Sequence, residues 1–282
     1  MSATAGADGV GVIGVAGCGA MGLPMAKRLA AAGFETWGFD VRPAQAFGDF
    51  APRMVADAAA FAERVDVVIS VVRDRKQTFD LLFDDQALMN RADRPATVII
   101  SSTLSPRVLP EIAQRLPADA ALLDAPMSGA PARAEDGTLT FMVGGADAEV
   151  SRLMAAFRAM GGEIHHLGAT GTGMTCKVIN NFVGVSGVVA VRKALAASTA
   201  LGLDPDRLLA VMRSSSGSTW YGDNLDRISW AREGYDPANT IGILEKDMRA
   251  FLDAVQGRAD VGVDDLAAAV LDVVRALEPL DI

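Results

Sequence analysis

Residues 10–40 read VGVIGVAGCGAMGLPMAKRLAAAGFETWGFD, and this stretch decides how the rest of the chain is read. Val10–Ala16 is a short apolar run of the kind that forms a strand buried on both faces. Gly17-Cys18-Gly19-Ala20-Met21-Gly22 is a GxGxxG turn, and Met21–Ala32 then reads as a helix stopped by Gly33. Glu35–Asp40 reads as the next strand. Alone, GxGxxG is a weak signal; between a strand and a helix it has the context that dinucleotide binding requires. The first glycine permits a tight turn, the second lets a pyrophosphate approach the backbone, and the third lets helix and sheet pack closely. Free N–H groups and the positive end of the helix dipole then face the phosphates, so Gly17, Gly19, Ala20, Met21 and Gly22 are the expected cofactor contacts. Asp40, 18 residues past Gly22, is placed to accept from the ribose hydroxyls. Its charge would repel a 2′-phosphate, which favours NAD and makes NADP the lesser candidate. Arg42 is the opposing signal, because a guanidinium could bind that phosphate. The alternative is a glycine turn in a non-binding α/β domain.

Working outward, strands and helices alternate. Ala56–Glu63 reads as helix, Val65–Val72 as strand, Gln77–Phe83 as helix and Thr97–Ile100 as strand. Pro106–Leu116 reads as a helix with Ser105 as its cap, and Ala121–Ala125 and Leu139–Val143 as two more strands. Such alternation implies crossover connections, a mostly parallel sheet and doubly wound α/β topology. A glycine-dotted segment, Gly161–Gly173, marks a change, after which helical periods dominate. Asp204 before Pro205 is a helix start. The expected organisation is a dinucleotide-binding domain over residues 1–168 and an all-α domain over residues 169–282.

The 282 residues are half hydrophobic and 22% charged, a globular composition long enough for a sizeable core. A net charge of −9 argues against nucleic acid or an anionic membrane as partner. The two cysteines, Cys18 and Cys176, form no CxxC pair, and the only histidines are adjacent, His165 and His166. A disulfide scaffold and a metal site are not expected, and lone thiols suit a reducing cytoplasm. Met1–Gly9 lacks the basic and apolar regions of a signal peptide. Val178–Val191 is too short and too interrupted by Asn180 and Asn181 to span a bilayer, and reads as a buried helix.

Lys177 opens that apolar helix. Burying an unpaired charge is costly, so a lysine here either snorkels from the helix end or acts as a general acid/base with its proton affinity lowered by desolvation. Asn181, four residues on, shares its face and could present an amide to the same ligand. Cys176 points away and reads as packing.

These residues resemble the β-hydroxyacid dehydrogenases, the family that includes 3-hydroxyisobutyrate, tartronate semialdehyde and L-threonate enzymes. The resemblance runs through GVAGCGAMGLPMA at Gly14–Ala26, SSTLSP at Ser101–Pro106, DAPMSG at Asp124–Gly129, GTGMTCKVINN at Gly171–Asn181 and the pair Lys246-Asp247. It implies a Rossmann domain, a long interdomain helix and a helical C-terminal domain that makes oligomer contacts, in a homodimer or homotetramer. It implies Lys177 as the catalytic acid/base, and Asn181, Ser128 and Gly129 as substrate contacts, the last two for a carboxylate. Thr103 would lie near the nicotinamide ribose and Lys246 near the nicotinamide. Singly, each has a plainer reading: Ser128-Gly129 a turn, Thr103 a cap, Lys246-Asp247 a solvated helix face. The implied activity is NAD-dependent hydride transfer to or from a small hydroxy acid. The rivals are a reductase of an aldehyde acid or imine and a non-catalytic cofactor-binding module. Relatives of the imine-reducing and non-catalytic kinds typically lack the lysine. The chain departs from the family at Ala130 and Arg133, where glycines are common, and has Val72-Arg73 in place of Leu-Pro. Arg133 could grip a substrate group or be a surface charge, and Trp220 could line the pocket or be core.

Overall fold

The computed structural model describes residues 9–258 and 260–281. The reading of Met1–Gly9 as lacking a targeting signal therefore lies, apart from Gly9, outside the described residues. The chain divides between Lys177 and Val178 into two compact units.

The first unit begins with β1 (Ile13–Ala16), α1 (Gly22–Ala31), β2 (Thr36–Phe39), β3 (Met54–Val55), α2 (Ala58–Arg64) and β4 (Val67–Ser70). It continues with α3 (Arg75–Leu82), β5 (Thr97–Ile100), α4 (Val108–Arg115) and β6 (Ala121–Asp124). All six strands pair in parallel in the order β3-β2-β1-β4-β5-β6, the doubly wound Rossmann arrangement expected from the alternation. The central strands β1, β4 and β5 are buried at every position and apolar except at Ser70 and Thr97, because helices cover both faces. Ile13, Val15, Ile69, Ile99 and Leu123 pack with Met25 and Leu29 of α1. The residues between them, Ala16, Val68, Val98 and Ile100, pack with Phe61, Leu82 and Ile112 on the other side. Asp57 and Asp74 start α2 and α3 by accepting from the N–H groups of Ala60 (2.8 Å) and Gln77 (2.9 Å).

A second sheet completes this unit. It consists of β7 (Met127–Ser128), β8 (Leu139–Val143) and β9 (Gly161–His166), with α5 (Ala130–Asp136) and α6 (Asp147–Met160) between them. The glycine-dotted stretch thus begins as strand β9, parallel to β8. Two expectations change in detail. Arg107, not Ser105, is the N-cap of α4; the Ser105 hydroxyl accepts from the Arg107 N–H at 3.3 Å, in the turn that precedes the helix. Thr103 lies further back still, outside the N-cap position of α4.

The helix α7 (Thr172–Ala200) crosses the division between units. It is followed by α8 (Pro205–Arg213), α9 (Trp220–Asp223), α10 (Thr240–Val255) and α11 (Asp264–Arg275). Asp204 caps α8 by accepting from the Arg207 N–H at 3.0 Å, as its place before Pro205 predicts. Val185, Val188 and Leu195 of α7 join Tyr221, Phe251 and Leu271 in one core. The Phe182 and Phe251 rings stack at 4.4 Å. The expectation of a short, buried helix here is corrected. At 29 residues α7 extends about 43 Å and is long and apolar enough to cross a membrane by those criteria alone. Its core-forming valines and buried Arg192 make it the core helix of the unit, yet Ile179 and Val183 stay 51% and 65% exposed. One stripe of the helix meets the core, while the remainder is apolar without being covered.

Candidate functional site

In a doubly wound sheet, ligands bind beyond the carboxyl ends of the strands, where the order reverses. Here that point lies between β1 and β4. The first unit delivers its candidate residues to those ends: Gly17–Gly22 after β1, Asp40 after β2, Thr103 after β5, and Ser128-Gly129 beyond β6.

Each glycine of the loop has its own steric reason. Gly17 adopts φ +90°, and a Cβ there would lie 2.8 Å from the Val71 carbonyl oxygen. A Cβ on Gly22 would come within 2.1 Å of the Gly17 carbonyl oxygen. A Cβ on Gly19 would meet no atom within 4 Å, so its missing side chain leaves open space above exposed backbone. Helix α1 begins at Gly22 with Met21 as an N-cap that makes no side-chain bond; the Leu23 N–H turns back to the Gly19 carbonyl at 3.1 Å and Pro24 carries no N–H, so an acceptor at this end is met by the N–H groups of the turn before them. These features fit a dinucleotide pyrophosphate.

Asp40 and Arg42 form one unit. The Arg42 Nε donates to Asp40 Oδ1 at 2.9 Å, and an Nη donates to Oδ2 at 3.1 Å. The Arg42 backbone N–H also donates to Oδ1, and the guanidinium bonds the Cys18 carbonyl at 2.9 Å. The Cys18 backbone also bonds Asp40, so the carboxylate is held from the glycine loop as well as from Arg42, at the end of β2 where a ribose would lie. Burial works against ionisation of Asp40, but the Arg42 bonds outweigh it and hold the carboxyl below its usual range. Cys18 is the opposite case: burial, aided by the Asp40 charge, pushes its thiol up to about 12, so it is packing rather than a nucleophile.

Lys177 is 7% exposed, near the start of α7. What fixes that start is Asp124, at the end of β6 and fully buried. Its Oδ1 accepts from the Gly171 N–H at 2.5 Å, its Oδ2 from the Met174 N–H, and the Gly173 N–H also bonds it. Burial lifts this carboxyl above its ordinary range while these donors pull it back. A Cβ on Gly173 would lie 2.2 Å from the Met142 carbonyl oxygen, so the helix reaches the carboxylate only with glycine there, and Gly171 adopts φ +98°, where any side chain is strained.

Ser128 is half-buried in β7, and Gly129 follows at φ +143°. Ala130 is left-handed at φ +57°, a conformation glycine would adopt without strain. Arg133 is exposed and its guanidinium turns back to the Thr138 carbonyl, the surface-charge alternative. In the second unit Asn181 donates to Asp247 Oδ2 at 2.7 Å, and Lys246 pairs with Asp247 Oδ1 at 2.7 Å. Asp247 is only 8% exposed, so this pair is not a solvated helix face. Trp220 is 56% exposed at the start of α9, which rules out the core alternative.

Sequence reasoning gave Asp124 and Asp247 no role. For Asp124 a signal existed: a carboxylate ending an apolar strand must find donors or destabilise the fold. For Asp247 the signal was the Lys246-Asp247 motif itself, but its contact with Asn181, which spans 66 positions, could not be read from it. Among the described residues no three His, Cys, Asp or Glu side chains gather as a metal would require.

Comparison with known proteins converges on one family. The profile described as the NAD binding domain of 6-phosphogluconate dehydrogenase matches residues 12–168. The profile described as the NAD-binding region of NADP-dependent 3-hydroxyisobutyrate dehydrogenase matches residues 171–277. L-threonate dehydrogenase of Cupriavidus necator is 34% identical over 249 residues, 86% of this chain and 83% of that protein. The mitochondrial 3-hydroxyisobutyrate dehydrogenase of Homo sapiens is 31% identical over 230 residues, 80% of this chain and 68% of that protein. The solved structure of Mycobacterium tuberculosis 3-hydroxyisobutyrate dehydrogenase with L-serine superposes with a TM-score of 0.77 at 29% identity, covering 95% of this chain and 93% of that one. With the parallel sheet, the glycine loop and the buried lysine in one chain, these likenesses make it a member of the β-hydroxyacid dehydrogenase family, NAD(P)-dependent oxidoreductases acting on CH–OH groups.

Proposed function

We propose that this chain oxidises, or in reverse forms, a small β-hydroxy carboxylate of the 3-hydroxyisobutyrate or threonate type, with Lys177 as general acid/base. The observation that carries the reading is a lysine 7% exposed at the head of α7, in a chain whose first unit fits a dinucleotide. The substrate carboxylate binds the Ser128 hydroxyl and the Gly129 N–H. Asn181, one helical turn beyond Lys177, holds the substrate with its amide, whose orientation Asp247 fixes. In oxidation the neutral Lys177 Nζ accepts the hydroxyl proton as the carbinol C–H bond gives up its hydride; in reduction the ammonium polarises the carbonyl and returns the proton. The nicotinamide, when bound, supplies the hydride acceptor or donor. Thr103 and Lys246 serve the nicotinamide end, with Asp247 as counter-ion to the lysine.

NAD is the preferred cofactor in this reading, with Asp40 on the ribose. Arg42 softens the preference by neutralising Asp40, so Arg42→Ala should widen it. NADPH should bind the variant about tenfold more weakly relative to NADH, the worth of one charge-assisted contact. Fluorescence titration of both reduced cofactors checks this, and an unchanged ratio would confine Arg42 to a structural role. The reading also places the protein in the cytoplasm, as a homodimer or homotetramer; exposed Ile179 and Val183 support self-association.

The substrate class is tested by absorbance at the reduced-nicotinamide band with 3-hydroxyisobutyrate, threonate, glycerate, serine, β-phenylserine and 4-hydroxybutyrate. Turnover of one β-hydroxy acid well above the rest is expected. Turnover of 4-hydroxybutyrate alone, or of none while NADH still binds, would remove the β-hydroxy assignment.

A further inference from the structure

We infer that Asp124 is a positioning residue for Lys177: one buried carboxylate sets the register of the helix that carries the lysine against the strand that leads into the carboxylate-binding loop. The inference rests on the role proposed above for Lys177. Asp124 is held from its own side by a reciprocal backbone pair with Gly144, at 3.0 and 2.8 Å. From the other side it takes the N–H groups of Gly171, Gly173 and Met174. Helix α7 thus begins on an anion, with the positive end of its dipole turned to that charge. Met174 and Lys177 are three residues apart, so the point that Asp124 grips lies one turn below the lysine. Ser128 follows Asp124 by four residues through β7. Any slip of the helix on this carboxylate would move Nζ relative to Ser128 and Gly129. The surroundings leave little room for such a slip. A Cβ on Gly144 would come within 2.4 Å of Asp124 Oδ1, and one on Gly173 within 3.0 Å of Oδ2. Gly173 is thus required by the Met142 carbonyl and the carboxylate beside it, and Gly171 by its φ of +98°.

The test is a double-mutant cycle with Lys177→Ala, read through kcat and through the NADH dissociation constant. Asp124→Asn keeps the shape but turns an N–H donor against the helix N–H groups. It should lower kcat about 10- to 100-fold, the usual cost of displacing a reacting group by an ångström or less, with NADH affinity within about twofold. In the Lys177→Ala background the same change should lower the residual rate by no more than about twofold, because the group it positions is gone. A merely structural Asp124 would lower the melting temperature and cut both backgrounds by the same factor; that result, or an unchanged kcat in the single variant, overturns the inference. If Lys177→Ala alone keeps full turnover, the failure belongs to the role of Lys177. Gly171→Ala is the milder second variant should Asp124→Asn not fold. No atom lies within 4 Å of its new Cβ, so only the strained φ shifts the donor. It should show a smaller loss of kcat with the same dependence on Lys177, and an unchanged kcat would contradict the inference.

Discussion

Lys177→Ala is expected to lower kcat by about two to four orders of magnitude, the usual worth of a positioned general acid/base, while leaving NADH affinity nearly intact. The expectation follows from where the lysine sits. The residue is 7% exposed, a buried position in which bulk solvent is a poor substitute for its side chain in proton transfer. The cofactor contacts expected in the first unit lie at the ends of β1, β2 and β5 and do not include it. Truncation also removes packing at the head of α7. Lys177→Met refills the space with an unbranched apolar chain and should lose as much turnover as alanine. Steady-state rates with fluorescence titration of NADH read both quantities. Equal turnover in the wild-type protein and both variants would take Lys177 out of the chemistry.

The second large effect concerns stability. Arg192, 5% exposed in α7, donates to the carbonyls of Ala231 (2.6 Å), Glu233 (3.2 Å) and Glu278, and lies 3.5 Å from the Tyr221 hydroxyl. Those carbonyls belong to the segment before α10 and to the C-terminal end of the chain, so one guanidinium fastens both to the long helix. Arg192→Ala takes this donor from the part-buried Glu233 and Glu278 carbonyls and leaves the Ala231 carbonyl with the Tyr221 hydroxyl alone, at about 1–3 kcal/mol for each acceptor that water cannot reach, and it also removes the packing of a buried side chain. A loss of roughly 3 kcal/mol or more is expected, equivalent to a fall in Tm on the order of 10 °C at this chain length. Arg192→Lys should recover little, since a single ammonium cannot reach the spread of acceptors that the planar fork serves. Differential scanning calorimetry of the two variants decides, and a fall below about 2 °C for the alanine variant would show that the carbonyls rehydrate freely.

The parallel sheet was legible because its strands are short, predominantly apolar and separated by helices, and because the glycine loop announces the first crossover. Thr97–Ile100 and Leu139–Val143 coincide with their predicted limits. Helix α6 and the strand β9 were not read. The helix packs Val150, Leu153, Phe157 and Met160 against the sheet, but its polar residues are interspersed, and the strand carries two glycines and two histidines. The half-exposed state of α7 was also hidden, since an apolar run records that burial is available, not how much of the helix is covered. The site was legible as far as motif order carries. Its supporting contacts were not: Asp124 with the Gly171–Met174 turn and Asp247 with Asn181 join residues about 50 and 66 positions apart. Arg42 was read as a rival to Asp40, and the fold makes the two a bidentate pair.

The central claim is direct hydride transfer between the carbinol carbon of a hydroxy acid and the nicotinamide. It is tested most directly by supplying the best acid of the panel with deuterium at that carbon, together with NAD, and weighing the reduced cofactor. One deuterium retained in each reduced nicotinamide is the predicted result. Reduced cofactor without the label, or oxidised acid without reduced cofactor, would contradict it.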